Sequence, residues 1–242
     1  MDSDERAVSD VIGYVLTFSL ILLAVGTVTA VGFAGLEDAR DAERVNNAER
    51  AFDILASNVD ELHRQQAPSR ATEIRLADAQ LGFAPTQTEI EVTVGGTTVA
   101  DVAYDPITYT AADTTYVYDG TAVIREERGG AAVVRAPSWS FSEEQVIVPL
   151  VVTRQDGSAS VGGTTTALIR TKRAEGDPET LERTTNDDVV VEITTTEARA
   201  EAWARALERK GGDCSVSGAT ANCDVDADRI IVTRTDVDVE IG

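Results

Sequence analysis

The alternation of apolar and polar positions along this chain changes character twice. From Val11 to Leu36, "VIGYVLTFSLILLAVGTVTAVGFAGL", no charged residue occurs. As a helix these 26 residues would span about 39 Å, more than the roughly 30 Å hydrocarbon core of a bilayer. The next stretch is striped. Val45, Ala48, Phe52, Leu55, Val59 and Leu62 follow one another at spacings of 3, 4, 3, 4 and 3, which predicts an amphipathic helix with charge on its other faces. Its seam packs either on the body of its own domain or against other subunits in a bundle. Ala67-Pro68-Ser69 ends it, because the residue before a proline is pushed out of the helical region.

After Pro68 the period becomes two. "TEIEVTVGGTTVADVAY" alternates on both sides of Gly95-Gly96 and reads as a hairpin. "TYVYDGTAVIRE" reads as a second, with Asp119-Gly120 at a type I′ turn. "QVIVPLVVTR", with Pro149 inside, predicts a strand at an edge or bulge. "TTTALIRTK", "DDVVVEITTT" and "DRIIVTRTDVDVEIG" are further strands. "EARAEAWARALERKGG" is the clear helix of this part, with Trp203 and Leu207 one turn apart on its inner face and Gly211 as its C-cap. About eight strands and one helix make a β-sandwich-like domain, large enough for one core. The expected class is therefore α+β. Residues 1–7 form a leader, 8–36 a transmembrane helix, 37–67 an amphipathic stalk helix and 68–242 a β-rich extracytoplasmic domain.

The apolar run does not read as an ordinary secretory signal. Such a signal has a basic leader, a shorter apolar core and a small-x-small cleavage site behind it. Here "MDSDERA" carries one Arg against three acids, and the run is too long. It is threaded with small and hydroxylated residues, among them Gly13, Thr17, Gly26, Thr27 and Gly32. Small residues let membrane helices approach one another, so the segment reads as a single-pass anchor with incidental glycines or as a helix that packs against its copies.

Charge narrows the partners. The 242 residues carry a formal net charge of -21, and lysine occurs only at Lys172 and Lys210. Phosphate binding needs a basic face, so nucleic acid is not a partner. The self-repulsion of so acidic a chain is screened by concentrated salt, which suits it to a salt-rich medium. The two cysteines, in "CSVSGATANC", are either a Cys214–Cys223 disulfide closing a hairpin in an oxidising compartment or two unpaired buried thiols; the disulfide is the expectation adopted.

Chemistry is sparsely signalled. No G-x-S-x-G elbow, phosphate loop or G-x-G-x-x-G occurs. His63 is the only histidine and reads as a packing or solvated residue of the helix, so a His-based triad and a multi-His metal site are not expected. Asp224, Asp226 and Asp228 begin like a calcium loop, but Arg229 stands where glycine is needed and Thr235 where glutamate is needed, which rejects an EF-hand. The chain is expected to be neither an enzyme nor a holder of metal or cofactor.

At its start the sequence resembles a family. "RAVSDVIGYVL" is similar to the N-terminus of haloarchaeal type IV pilin-like proteins, with their short leader, small residue at the cut and V-S-x-V-I-G-type start to the apolar helix. The resemblance implies a class III signal peptide cut by a prepilin-type peptidase between Ala7 and Val8, after Arg6, leaving the helix on the mature subunit. Val8, Ser9, Val11, Ile12 and Gly13 match the pattern, whereas Asp10 replaces the proline common in adhesion pilins. "GLEDARDAERVNNAERAFDILASNV", "GGAAVVRAPS" and the terminal strands look like a set of haloarchaeal membrane-anchored, pilin-like proteins. The function so implied is that of a subunit or minor subunit of a type IV pilus-like assembly with a structural or adhesive role. Its partners would be the membrane, the peptidase and copies of itself or other pilins. The alternative is a non-polymerising, membrane-anchored binding or sensing module. Orientation is contested: Arg40, Arg44 and Arg50 outnumber Arg6, which by the positive-inside count puts the large domain in the cytoplasm. The cysteine pair and the pilin-like start put it outside, and large domains translocate largely regardless of charge.

Overall fold

In the computed structural model residues 3–176, 179–184 and 187–242 are described, with the backbone alone for 3–12, 34, 37, 38 and 41. Helix α1 runs Ser3–His63. Then come β1 (Ser69–Arg75), β2 (Ala79–Phe83), β3 (Thr88–Val94), β4 (Thr97–Tyr104), β5 (Ile107–Ala111), β6 (Thr114–Asp119), β7 (Ala122–Glu127) and β8 (Gly130–Arg135). They are followed by β9 (Ser140–Phe141), β10 (Val146–Gln155), β11 (Ser160–Gly163), β12 (Thr166–Arg173), β13 (Glu179–Thr184) and β14 (Asp188–Thr194). Helix α2 (Glu197–Glu208), β15 (Asp213–Ser217), β16 (Thr220–Asp226) and β17 (Arg229–Ile241) complete the described chain. The α+β class and the single helix late in the chain are as the pattern predicts. Among the described residues the strands are about twice as many, and they form three sheets.

The first sheet has the order β1-β12-β17-β10-β9, with β13 also on β17; the second β11-β2-β5-β6-β7-β8; the third β15-β16-β14-β3-β4. The chain divides into two units, 1–44 and 45–242. The striped part of α1 thus belongs with the strands, and the domain begins well before Pro68.

Two apolar cores fill the larger unit. One lies between the third sheet, α2 and parts of the other two sheets, around Val92, Val191, Trp139 and Trp203. The other is closed by α1, whose Ala48, Phe52, Leu55, Val59 and Leu62 pack on Leu81, Tyr109 and Tyr116 of the second sheet and Ile169 and Val239 of the first. Alternation serves both cores at once. In β6, Tyr116 and Tyr118 face the second core while Val117 faces the first.

Local details follow the residues. Gly95 and Gly96 both have positive φ, 56° and 74°, as a two-residue hairpin between β3 and β4 requires. The β6–β7 turn is displaced by one residue from expectation. Its central pair is Gly120-Thr121, with Gly120 alone at positive φ (64°), which is the type II′ and not the type I′ pattern. Asp119 is therefore a strand residue, and it is buried. Pro149 lies beyond the two-residue pairing of β9, where β10 keeps β17 as its strand partner; Trp139 Nε1 donates to its carbonyl at 3.1 Å. Helix α2 starts at Thr196, whose side chain accepts from Arg199 N. It ends as a Schellman motif: Gly211 N bonds Glu208 O and Gly212 N bonds Leu207 O, both at 3.1 Å, with Gly211 at φ 106°.

Candidate functional site

The most distinctive chemical feature of the molecule is the first part of α1. Residues Gly13–Phe33 have a mean hydropathy of 2.2, and none of that span is buried. Thirteen large apolar side chains between Tyr14 and Leu36 are exposed, from Phe18 at 51 % to Val28 at 73 %. Covering one such side chain gains about 1.5–3 kcal/mol, so leaving them all in water forgoes tens of kcal/mol. The segment's polar groups are suited to an apolar medium. Thr17 Oγ1 donates to Gly13 O and Thr27 Oγ1 to Leu23 O, each at 2.8 Å, so these hydroxyls are satisfied within their own helix. Tyr14 and Phe18, one turn apart, stack at 6.2 Å. Around Gly13, Gly26 and Gly32 the space is open within 4 Å of where a Cβ would stand.

Arg6, Ala7, Val8, Ser9 and Asp10 lie in the backbone of α1. Their side chains are outside the described residues, as are Met1 and Asp2 of the leader. The cysteine pair is joined: Cys214 and Cys223 form a disulfide across β15 and β16, opposite each other in the ladder with Cα atoms 4.1 Å apart.

The second part of α1 is tied down by polar contacts that periodicity does not reveal. Arg135 of β8 donates to Asp53 Oδ1 (2.6 Å), Ser57 Oγ (2.9 Å) and Asp60 Oδ2 (2.9 Å). On the opposite flank Asn58 Nδ2 donates to Thr72 Oγ1 at 2.9 Å, and Glu61 pairs with Arg70. Tyr116 Oη donates to Glu49 Oε2 at 2.9 Å. His63 sits on β17: its Nδ1 is 2.9 Å from Thr235 Oγ1 and its Nε2 is 3.2 Å from Thr233 Oγ1. Burial lowers the imidazole pKa, against the charge of Asp60, which raises it. The histidine is thus a packing residue of the helix end, as its sequence neighbourhood predicts.

A buried ionic group anchors α2. Asp119 accepts from Tyr104 Oη at 2.8 Å and from Arg199 Nη1 and Trp203 Nε1 at 3.3 Å. Arg199 Nε also lies 3.3 Å from Glu126 Oε1. Burial raises the Glu126 carboxyl, an effect the Arg199 charge opposes, and burial and Asp119 raise the Tyr104 hydroxyl well above its ordinary value. The Asp119-Gly120 pair reads in sequence as a turn, which hides this role. Asp224 and Asp226 line a shallow groove with Asp188, Asp213 and Glu143. Among the described residues no three His, Cys, Asp or Glu side chains are grouped to hold a metal ion.

No curated protein and no solved structure matches the chain. A family of unknown function, DUF7289, matches residues 6–240, and the chain therefore belongs to that family.

Proposed function

We propose that this protein is a pilin-like, single-pass surface protein of a salt-rich environment, with a structural role in a type IV pilus-like assembly. The observation that carries the reading is the uncovered apolar span Gly13–Phe33 on the same helix whose later residues complete a core. A bilayer, or a sheath of like helices, supplies the missing cover. Two further facts favour a retained helix over a signal that is removed. Helix α1 has no break after Leu36, and the family match takes in the apolar span together with the β-rich unit. The disulfide fits an extracytoplasmic domain.

In this reading a prepilin-type peptidase cuts between Ala7 and Val8. The new α-amine of Val8 is costly to desolvate unless paired. Asp10 supplies the carboxylate, within one subunit or between neighbours. The test is the N-terminal residue of the mature protein, determined separately for membranes and for sheared surface filaments. Val8 in both fractions is the expected result. Val8 in membranes alone leaves a non-polymerising membrane module. A start at Met1, or downstream of Gly35, overturns the pilin reading. The salt part is tested by melting: with a charge of -21, transfer from molar to ~0.1 M salt, where the Debye length grows to about 10 Å, should lower Tm. An unchanged Tm refutes it.

A further inference from the structure

We infer that β13 is a strap over one edge of β17 and opens without unfolding the rest of its domain. Strand β17 has β10 along one side. Its other side is shared in succession by β13, opposite Arg229–Arg234, and β12, opposite Val237–Ile241. The two coverings differ. Strand β12 places Ala167 and Ile169 in a core. All six residues of β13 are exposed, and none belongs to either core. Its largest apolar side chain, Leu181, is 37 % exposed. The ion pair between Glu182 and Arg229, at 3.3 Å, joins two half-exposed side chains, a kind of pair that contributes little.

Among the described residues, other short or exposed strands have a disulfide or core contact that β13 does not show. Strand β15 carries the disulfide, and β11 packs Val161 against the core. Among the described residues, what holds β13 besides that exposed ion pair is its backbone ladder, whose net gain is comparable to the conformational entropy of ordering the same residues. Its neighbour is anchored independently, since Ile230 and Val232 are buried against the first core. Opening therefore leaves β17 in place and bares the backbone N–H and C=O groups along residues 229–234, a free edge of the kind that accepts another strand.

Hydrogen exchange followed by mass spectrometry on the full chain in a membrane mimetic tests this. Amides of 179–184 should exchange at least about 100-fold faster than those of β10, through local opening. Proline at Thr180 or Leu181 removes a ladder donor at one of the two positions, since alternate N–H groups point to the partner. Thr180→Pro and Leu181→Pro should both leave the melting temperature within about 2 °C of the parent, while Ile169→Pro on β12 lowers it by many degrees. Exchange of β13 within about tenfold of β10, or a loss of Tm from either β13 proline as large as that from Ile169→Pro, overturns the inference.

Discussion

The two parts of α1 are built from similar residue types and meet opposite fates. In the first, leucines, valines and phenylalanines surround the helix, and all those described are exposed. In the second, the same types occupy one stripe, and Phe52, Leu55, Val59 and Leu62 have no exposed surface. Apolar content and its distribution both separate them, because a uniformly apolar helix needs an apolar solvent on every side, whereas a striped one with charge on its other faces needs a single protein face. The comparison also shows why the unit boundary falls at Arg44/Val45. It marks the start of the seam that the strands can cover, after the charged stretch of residues 37–44 that follows the apolar run.

Truncation should separate the two parts most strongly. Phe52→Ala empties a ring packed on Tyr109 and Tyr116 and should cost about 3–5 kcal/mol. Leu22→Ala, at a fully uncovered position, should change the stability of the β-rich unit by less than about 0.5 kcal/mol. Thermal melts of both variants in the same detergent decide; equal losses would erase the distinction.

A smaller effect concerns the disulfide, which staples a hairpin in the larger unit and leaves α1 untouched. In the chain-entropy model closing so short a loop adds roughly 2–3 kcal/mol. Reduction, or Cys214→Ser with Cys223→Ser, should lower Tm accordingly, as thermal melts with and without reductant would show. Alkylation of both thiols without reductant, read by intact mass, would contradict the bridge.

The smallest effect sharpens the packed end of the helix. The folded pKa of His63 is lowered from its ordinary 6.5 by burial. Between 6.5 and the lower folded value the unfolded chain binds a proton that the native chain does not, so stability falls as pH drops through that window. Above 6.5 the native preference is fully present. His63→Gln should flatten this part of the pH–stability curve relative to the parent; identical curves would show that the ring titrates normally.

Much of this architecture was legible in the sequence. The glycine pair at 95–96 and the Trp203/Leu207 stripe were each unambiguous, because period and turn chemistry agreed there. The strands without a clear sequence signal lack that agreement. In β1, Thr72 and Ile74 alone turn inward; β8 is built from small Gly, Ala and Val residues ahead of Arg135; β13 has no inward face. Single-residue displacement at the β6–β7 turn then hid Asp119, since the same dipeptide fits two registers and only the buried partners Arg199, Tyr104 and Trp203 select one. The anchoring of α1 by Arg135 was invisible for a different reason. Its partners Asp53, Ser57 and Asp60 are 82, 78 and 75 residues away, and long-range pairing leaves no periodic trace.

That α1 is one uninterrupted element from Ser3 to His63 has a mechanical meaning. A tether bolted to the outside of a domain can be torn off and leave the domain whole. Here the apolar segment and a wall of the core belong to the same helix. Tension applied at the apolar end passes along the hydrogen-bonded backbone to Phe52, Leu55, Val59 and Leu62. Detaching the helix from the strands there requires shearing those side chains out of their core together with the Arg135 bonds to Asp53, Ser57 and Asp60. Pulling this helix off the strands is therefore the same event as opening the core it closes.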